Sequence, residues 1–196
     1  MAESTGFTRR HFLTVATLVT GGAGAIATAV PFVASFKPSA RAQALGAPVT
    51  VDISKLEPGA LLRVEWRGRV IYVLSRTADM LASLGKDTAL LEDPDSEKDQ
   101  QPSYAKNENR SIRPEVLVVQ GVCTHFGCAP TPRFEVAPAD LGPEWPGGFF
   151  CPCHGSKFDL AGRVFTGVPA PDNLVVPPHR YINDSTILIG SDTGNS

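Results

Sequence analysis

The sequence predicts an antiparallel all-β domain preceded by one N-terminal transmembrane helix. The 25 residues from Phe12 to Phe36 carry no formal charge, and a helix of that length spans a ~30 Å hydrocarbon core. Beyond residue 48 the apolar residues fall in short runs, several of which alternate with polar residues as half-buried strands do. The chain also contains 17 prolines and 18 glycines among 196 residues, which favours many turns over long helices.

The segment in front of the apolar stretch resembles a bacterial twin-arginine export signal. It reads Thr8-Arg9-Arg10-His11-Phe12-Leu13, and we assign residues 1–11 to a signal region and residues 12–36 to an anchor helix. Paired arginines are also an ordinary positive flank of a membrane helix, but the Phe-Leu that follows favours the export signal. The apolar stretch is longer than the roughly 7–15 residues of a cleaved signal, so we expect an uncleaved anchor.

Residues 37–48 contain small residues, two prolines and few large apolar groups. This composition is typical of a linker, and we interpret the segment as a flexible hinge. The β domain is expected at 49–191, with a short helix at 78–84 and with strands at 49–53, 61–66, 69–74, 116–119 and 186–189. Residues 86–113 are polar and charged, and we interpret them as a surface insertion with little core of its own.

Two segments combine cysteine and histidine at short spacing. One reads Cys123-Thr124-His125-Phe126-Gly127-Cys128, and the other reads Cys151-Pro152-Cys153-His154-Gly155-Ser156. A zinc site with sulfur and nitrogen ligands is chemically reasonable. Two disulfides also use four cysteines, but they leave both histidines unexplained. The third interpretation is a 2Fe–2S cluster held by one cysteine and one histidine from each segment.

The third pattern is that of the Rieske family, and the sequence resembles the Rieske subunit of quinol–cytochrome c oxidoreductases over nearly its whole length. The resemblance implies a Rieske-type β domain with a smaller cluster-binding subdomain at about 120–171 and one 2Fe–2S cluster. The implied ligands are two thiolates on one iron, Cys123 and Cys151, and two imidazoles on the other, His125 and His154. The resemblance also implies a disulfide between Cys128 and Cys153. Most soluble Rieske proteins lack that disulfide, so it favours the quinol-oxidising branch.

The resemblance extends to the surroundings of the cluster, with two departures. Ser156 corresponds to a serine that hydrogen-bonds the cluster, and residues 167–171 resemble the proline loop that covers it. Phe158 stands where many members have a tyrosine, so that hydroxyl is lost. The 25 residues between His125 and Cys151 are more than the family pattern leads us to expect, and we interpret 134–145 as a surface insertion.

Histidine ligation suits quinol oxidation on electrostatic grounds. The formal charges of two ferric irons, two sulfides and two thiolates sum to zero, and a neutral centre accepts an electron more readily than an anionic one. The added electron raises the pKa of the imidazole nitrogen that is not bound to iron, so a proton is taken up as well. We predict that His154 contacts the quinol, with His125 as the second candidate.

The implied function is that of an electron-transfer subunit that oxidises quinol and reduces a c-type cytochrome in a proton-translocating respiratory complex. The implied partners are cytochrome b and c-type cytochrome subunits in a dimeric complex of the inner membrane, with the N-terminus cytoplasmic and the cluster domain periplasmic. The alternative is the Rieske small subunit of an arsenite-oxidase-like enzyme, against which the long anchor and the proline loop argue. A zinc-stabilised binding module is a further alternative.

Two features point away from other functions. The formal net charge of -2 gives no indication of a nucleic-acid partner, which a basic stripe would suggest. His179 stands alone in a proline-rich run, and a histidine in that setting is more often a surface or core residue than a ligand.

Overall fold

A computed structural model of the chain describes residues 8–86 and 88–193. The chain divides into an N-terminal unit, residues 1–44, and a head unit, residues 45–196. The helices in the described residues are α1 (Arg9–Ala34), α2 (Ala40–Gly46) and α3 (Ala78–Ser83). The strands are β1 (Val49–Asp52), β2 (Leu61–Trp66), β3 (Arg69–Ser75), β4 (Val116–Gln120), β5 (Thr131–Arg133), β6 (Gly148–Cys151), β7 (Ser156–Phe158), β8 (His179–Asn183) and β9 (Thr186–Ile189).

Helix α1 is long and apolar enough to cross a membrane, and among the described residues it is the one helix with that property. The side chain of Thr8 accepts a hydrogen bond from the backbone N–H of His11 and so caps the first turn. Four threonine hydroxyls each donate to the carbonyl four residues earlier, at positions 14, 17, 20 and 28. These bonds satisfy polar groups that lipid cannot solvate. Residues 1–7 of the predicted signal region lie outside the described residues.

The predicted hinge at 37–48 contains the short helix α2. Ser39 begins this helix, because its side-chain oxygen accepts a 3.2 Å hydrogen bond from the Ala42 N–H and its carbonyl accepts one of 2.9 Å from Gln43. Alanine, glutamine and leucine are good helix formers, and they fill most of the segment. Residues 40–46 are therefore helical rather than irregular, and the flexibility of the segment stays a prediction.

The head contains three antiparallel sheets, in agreement with the predicted fold class. Their strand orders are β1-β9-β8, β2-β3-β4 and β5-β6-β7. The β2–β3 hairpin has its turn at Arg67 and Gly68, whose φ angles of 52° and 69° are those of a two-residue turn that follows the strand twist. The predicted strands at 49–53, 116–119 and 186–189 match β1, β4 and β9 to within one residue. Strands β5 to β8 were not predicted.

The β2-β3-β4 sheet is covered on both faces. Tyr72 and Leu74 of β3 pack on the same side as the residues of β6 and β7. Ile71 and Val73 pack on the opposite side, against β1 and β9. Because the sheet is buried on both faces, the strands β3 and β4 consist of unbroken apolar runs. The small β5-β6-β7 sheet packs against one of those two faces.

The expectation that residues 86–113 form a surface insertion with little core of its own is wrong in part. Arg110 is fully buried, and its guanidinium donates to the carbonyls of Ala161, Gly162 and Leu174 at 2.8–3.2 Å. Ala105 in the same segment is also fully buried. The segment is held by buried hydrogen bonds to backbone carbonyls. The prediction missed them because it considered only the number of large apolar residues in the segment.

The predicted surface insertion at 134–145 is mostly exposed, but its last residue is not. The Trp145 side chain is 2% exposed, and its indole N–H donates a 3.0 Å hydrogen bond to the carbonyl of Arg133. Arg133 in turn donates two hydrogen bonds to Asp140, at 2.8 and 2.7 Å. The segment 134–145 is therefore fastened to Arg133 of the small sheet at its middle and at its last residue.

Candidate metal centre

The two Cys–His segments form loops of the same construction at the small sheet. The carbonyl of Cys123 accepts a 2.9 Å hydrogen bond from Gly127, and the carbonyl of Cys151 accepts one of 2.9 Å from Gly155. Both glycines have φ of 80°, a left-handed conformation that other residues adopt at a cost. The first loop, residues 121–130, leads into β5, and the second, residues 152–155, joins β6 to β7.

The thiols of Cys123 and Cys151 lie on the buried side of the site. Both residues are free cysteines and both are buried, and they lie in the same cluster of buried side chains. Burial raises the pKa of the Cys151 thiol, whereas hydrogen bonds from the backbone N–H groups of Cys153 and His154 lower it. Backbone N–H groups that stabilise a thiolate suit a cysteine that binds a metal.

The imidazoles of His125 and His154 lie next to each other on the exposed side. Their ring centroids are 4.8 Å apart and the rings are nearly perpendicular. His154 is exposed and His125 is half-buried. Phe126 directly follows His125 in the chain and is 77% exposed. Its ring centroid lies 4.0 Å from that of His125 and 6.0 Å from that of His154. The site thus has a sulfur side in the protein and a nitrogen side at the surface.

The remaining two cysteines, Cys128 and Cys153, form a disulfide that joins the two loops. The sulfurs of Cys128, Cys151 and Cys153 all lie within 4.8 Å of one another, a grouping that by distance alone resembles a metal site. Cys128 and Cys153 offer no thiolate while they are bonded to each other. These three residues are therefore not a ligand set. The Cys128–Cys153 bond is the pairing that the resemblance implies.

The proline loop, residues 167–171, and Asp172 directly after it are hydrogen-bonded to the two Cys–His segments. The hydroxyl of Thr124 in the first loop donates a 2.6 Å bond to the carbonyl of Asp172. The backbone N–H of Ala170 donates a 3.1 Å bond to the side-chain oxygen of Ser156, the first residue after the second loop. The ammonium of Lys98 binds the same loop, with the Pro171 carbonyl at 2.8 Å and the Asp172 carboxylate at 2.9 Å.

The structure brings together the four residues predicted as ligands, and it places Ser156, fully buried, beside them. His179 lies elsewhere, as expected for a core residue: it is 1% exposed, and its Nδ1 is 2.8 Å from the carbonyl of Pro177. Neither Thr124 nor Lys98 was predicted as part of the site. Thr124 lies inside a motif and could have been noticed, whereas nothing in the sequence near Lys98 indicates its contact.

Two free thiols and two adjacent imidazoles, on loops joined by a disulfide, are the donor set of a Rieske-type iron–sulfur protein. Comparison with known protein families supports that class. Residues 51–178 match the family model described as "Rieske [2Fe-2S] domain", and residues 1–39 match the one described as "Ubiquitinol-cytochrome C reductase Fe-S subunit TAT signal".

Similarity to individual proteins specifies the family further. It is 60% identical over 195 residues to the ubiquinol-cytochrome c reductase iron-sulfur subunit of Allochromatium vinosum, covering 100% of this chain and 94% of that protein. It is 43% identical to the subunit of that name from Blastochloris viridis, over 94% of this chain and 93% of the other. A solved structure of a hyperthermophilic respiratory Complex III is 21% identical, with a TM-score of 0.48 over 89% of this chain and 98% of the other. The chain therefore belongs to the family of Rieske iron–sulfur subunits of ubiquinol–cytochrome c reductase, and its cofactor is a 2Fe–2S cluster.

Proposed function

We propose that this chain oxidises quinol through its 2Fe–2S cluster and passes the electron to a c-type cytochrome in a proton-translocating respiratory complex. The observation that carries this proposal is the pair of adjacent imidazoles at the surface, above two buried thiols. An electron-transfer site needs a face that its partners can reach, and here two imidazoles form that face. The relatives named as ubiquinol–cytochrome c reductase subunits support the same function.

The proposed ligands are Cys123 and Cys151 for one iron and His125 and His154 for the other. Their support is geometric: the two cysteines lie in one cluster of buried side chains, and the two ring centroids are 4.8 Å apart. Ser156 is the proposed hydrogen-bonding partner, because it is fully buried and opposes Cys151 in the β6–β7 register. When bound, the cluster supplies a one-electron acceptor whose potential is raised by its histidine ligands.

The protein groups supply binding and proton transfer at that acceptor. The exposed imidazole of His154 is the proposed contact for the quinol hydroxyl, whose proton its outer ring nitrogen accepts. His125 is the second candidate, since it is half-buried. Phe126 provides an apolar surface beside both rings, which suits the apolar body of a quinol or a hydrophobic docking surface.

The N-terminal unit is the proposed anchor of this head in the inner membrane. The positive pair Arg9 and Arg10 at the start of α1 supports a cytoplasmic N-terminus, and a twin-arginine signal supports a periplasmic cluster domain. The proposed partners are cytochrome b and c-type cytochrome subunits within a dimeric complex. The hinge at 37–48 would let the head move between the site where it receives the electron and the site where it delivers it.

Purification of the membrane complex through a tag on this chain tests the proposal. We expect cytochrome b and a c-type cytochrome among the co-purifying subunits, together with quinol-dependent reduction of cytochrome c. Exchange of His154 for Gln should abolish that activity and the EPR signal of the reduced cluster. The control His179→Gln alters a buried histidine outside the site and should keep both. Co-purification with a molybdenum-containing subunit would instead support the arsenite-oxidase-like alternative.

A further inference from the structure

We infer that Tyr72, in strand β3, is a positioning residue that fixes the two Cys–His loops relative to each other. The inference rests on the proposed function only in taking Cys123 and Cys151 as ligands. Tyr72 is 3% exposed, and its hydroxyl donates a 2.7 Å hydrogen bond to the carbonyl of Pro130. Pro130 comes two residues after Cys128, at the point where the first loop ends and β5 begins.

The ring of Tyr72 also supports the beginning of the same loop. A Cβ atom at Gly121, two residues before Cys123, would lie 2.6 and 2.7 Å from Cε2 and Cε1 of Tyr72, and still closer to Cζ. The Tyr72 ring therefore occupies the space that a side chain at position 121 needs. Gly121 is held in place by its 2.9 Å hydrogen bond to the carbonyl of Val70, two residues before Tyr72. One side chain thus contacts both ends of the loop that carries Cys123 and His125.

The second loop is reached through Phe149. The rings of Tyr72 and Phe149 are stacked, with centroids 5.6 Å apart and planes 15° from parallel. Phe149 is fully buried and precedes Cys151 by two residues in β6. It also pairs with Phe158 across the β6–β7 register. Tyr72 therefore contacts both ends of the first loop and also strand β6, which contains Cys151.

These contacts matter because metal ligands need placement to within about 0.5 Å, which the surrounding residues must provide. The disulfide links the loops at Cys128 and Cys153, on the side where the residues are half-buried or exposed. Tyr72 links them from the buried side, where Cys123 and Cys151 meet. Loss of its hydroxyl frees the Pro130 end of the first loop while the packing of the ring on Phe149 remains.

The test is Tyr72→Phe in the full-length chain within its native membranes, with Tyr104→Phe as the matched control. The Tyr104 hydroxyl accepts a 2.8 Å hydrogen bond from the backbone N–H of His179, so the control also removes one tyrosine–backbone bond, but away from both loops. Three quantities are measured: the midpoint potential of the cluster, the line shape of its EPR spectrum, and the rate at which dithiothreitol reduces the Cys128–Cys153 disulfide.

We expect Tyr72→Phe to shift the potential, alter the EPR line shape and speed disulfide reduction several-fold, while Tyr104→Phe leaves all three unchanged. Equal behaviour of the two variants would overturn the inference, because it would show that Tyr72 contributes only general stability. A wild-type chain without a Rieske-type EPR signal would contradict the proposed function instead. The disulfide measurement would still decide the role of Tyr72, since it does not depend on the cluster.

A second pair of variants tests the ring contact and does not depend on the hydroxyl. Gly121→Ala should lower the cluster content per chain strongly, and the control Gly85→Ala should not, since a Cβ at Gly85 meets nothing within 4 Å. Combining Gly121→Ala with Tyr72→Leu removes the ring atoms that the new methyl group strikes, so the cluster content should recover in part. A Gly121→Ala variant that keeps as much cluster as Gly85→Ala would show that the Tyr72 ring does not fill the space at position 121.

Discussion

The side-chain oxygen of Ser156 accepts a 3.1 Å hydrogen bond from the backbone N–H of Ala170. Ser156 is fully buried and lies opposite Cys151 in the β6–β7 pair, while Ala170 belongs to the proline loop. A hydroxyl that accepts through its oxygen keeps its own hydrogen for a second partner. Ser156 can therefore hold the proline loop and also donate to a cluster sulfur.

Phe158 provides the first prediction, because the resemblance to the Rieske family leads us to expect a tyrosine hydroxyl at its position. It is fully buried in the same cluster of side chains as Cys123 and Cys151. A hydroxyl that donates to a ligating sulfur stabilises the reduced, more negative cluster, and so raises its potential. If that bond favours the reduced state by ~1.4 kcal/mol, Phe158→Tyr raises the midpoint potential by about 60 mV.

Redox titration monitored by EPR measures this shift, and Ser156→Ala supplies the opposite change. Removal of the Ser156 donor should lower the potential by a similar amount. Ser96→Ala is the control, since Ser96 is a buried serine whose hydroxyl has no partner among the described residues. A potential that stays constant or falls in Phe158→Tyr would show that this ring does not face a cluster sulfur.

Lys98 provides the second prediction, which concerns the proline loop. Its ammonium binds both Pro171 and Asp172, whereas Lys106, in the same segment, pairs with Glu97 and not with that loop. Both ion pairs are partly exposed, so neither contributes much to overall stability. Lys98→Met should speed cluster loss in chelator about two- to five-fold without changing the melting temperature, and Lys106→Met should change neither. Equal rates of loss in the two variants would refute a specific role for Lys98.

The disulfide provides the third prediction. Replacement of Cys128 and Cys153 by alanine removes a cross-link with a sequence separation of 25 residues, which should lower the free energy of unfolding by ~2–4 kcal/mol. Denaturation curves of the solubilised chain measure that loss. Mass spectrometry of the cluster-free, alkylated but unreduced wild-type chain should find label on Cys123 and Cys151 only. Label on all four cysteines would contradict the pairing.

The fourth prediction concerns the pH dependence of stability and rests on His179. Burial lowers the pKa of this imidazole from its ordinary value of 6.5, so the folded chain holds it neutral. Above pH 6.5 neither the folded nor the unfolded chain protonates it; below that pH the unfolded chain takes up the proton first. Stability should therefore fall as the pH drops below 6.5, and His179→Gln should lose less stability between pH 7 and pH 5. Parallel pH profiles for the two chains would argue against this assignment.

The parts of the fold that can be predicted from the sequence are those determined by residues close together in the chain. The β2–β3 hairpin joins two runs that the sequence predicts as strands, 61–66 and 69–74, and the two residues between them, Arg67 and Gly68, form its turn. The three-residue strands β5 and β7 are too short to give a periodic pattern. The burial of Arg110 was missed because its partners are the carbonyls of residues 51 to 64 positions away along the chain, which no local pattern reports.

The same distinction holds for the site: its ligand candidates can be predicted from the sequence, whereas its supporting contacts cannot. The ligand candidates are visible in the sequence because each pair of cysteine and histidine lies within one short loop. Tyr72 contacts Pro130 across 58 residues, and Lys98 contacts Asp172 across 74. These supporting contacts depend on the packing of β3 and of the 86–113 segment, so they could be recognised only in the folded chain.

We propose that one cysteine and one histidine from each segment hold the cluster. Pulsed EPR of the reduced, full-length chain, grown with ¹⁵N-labelled histidine, tests it most directly, because nitrogen ligands of the cluster give resolved hyperfine couplings. We predict couplings to two histidine nitrogens, those of His125 and His154. A spectrum with one histidine nitrogen or none would contradict the assignment.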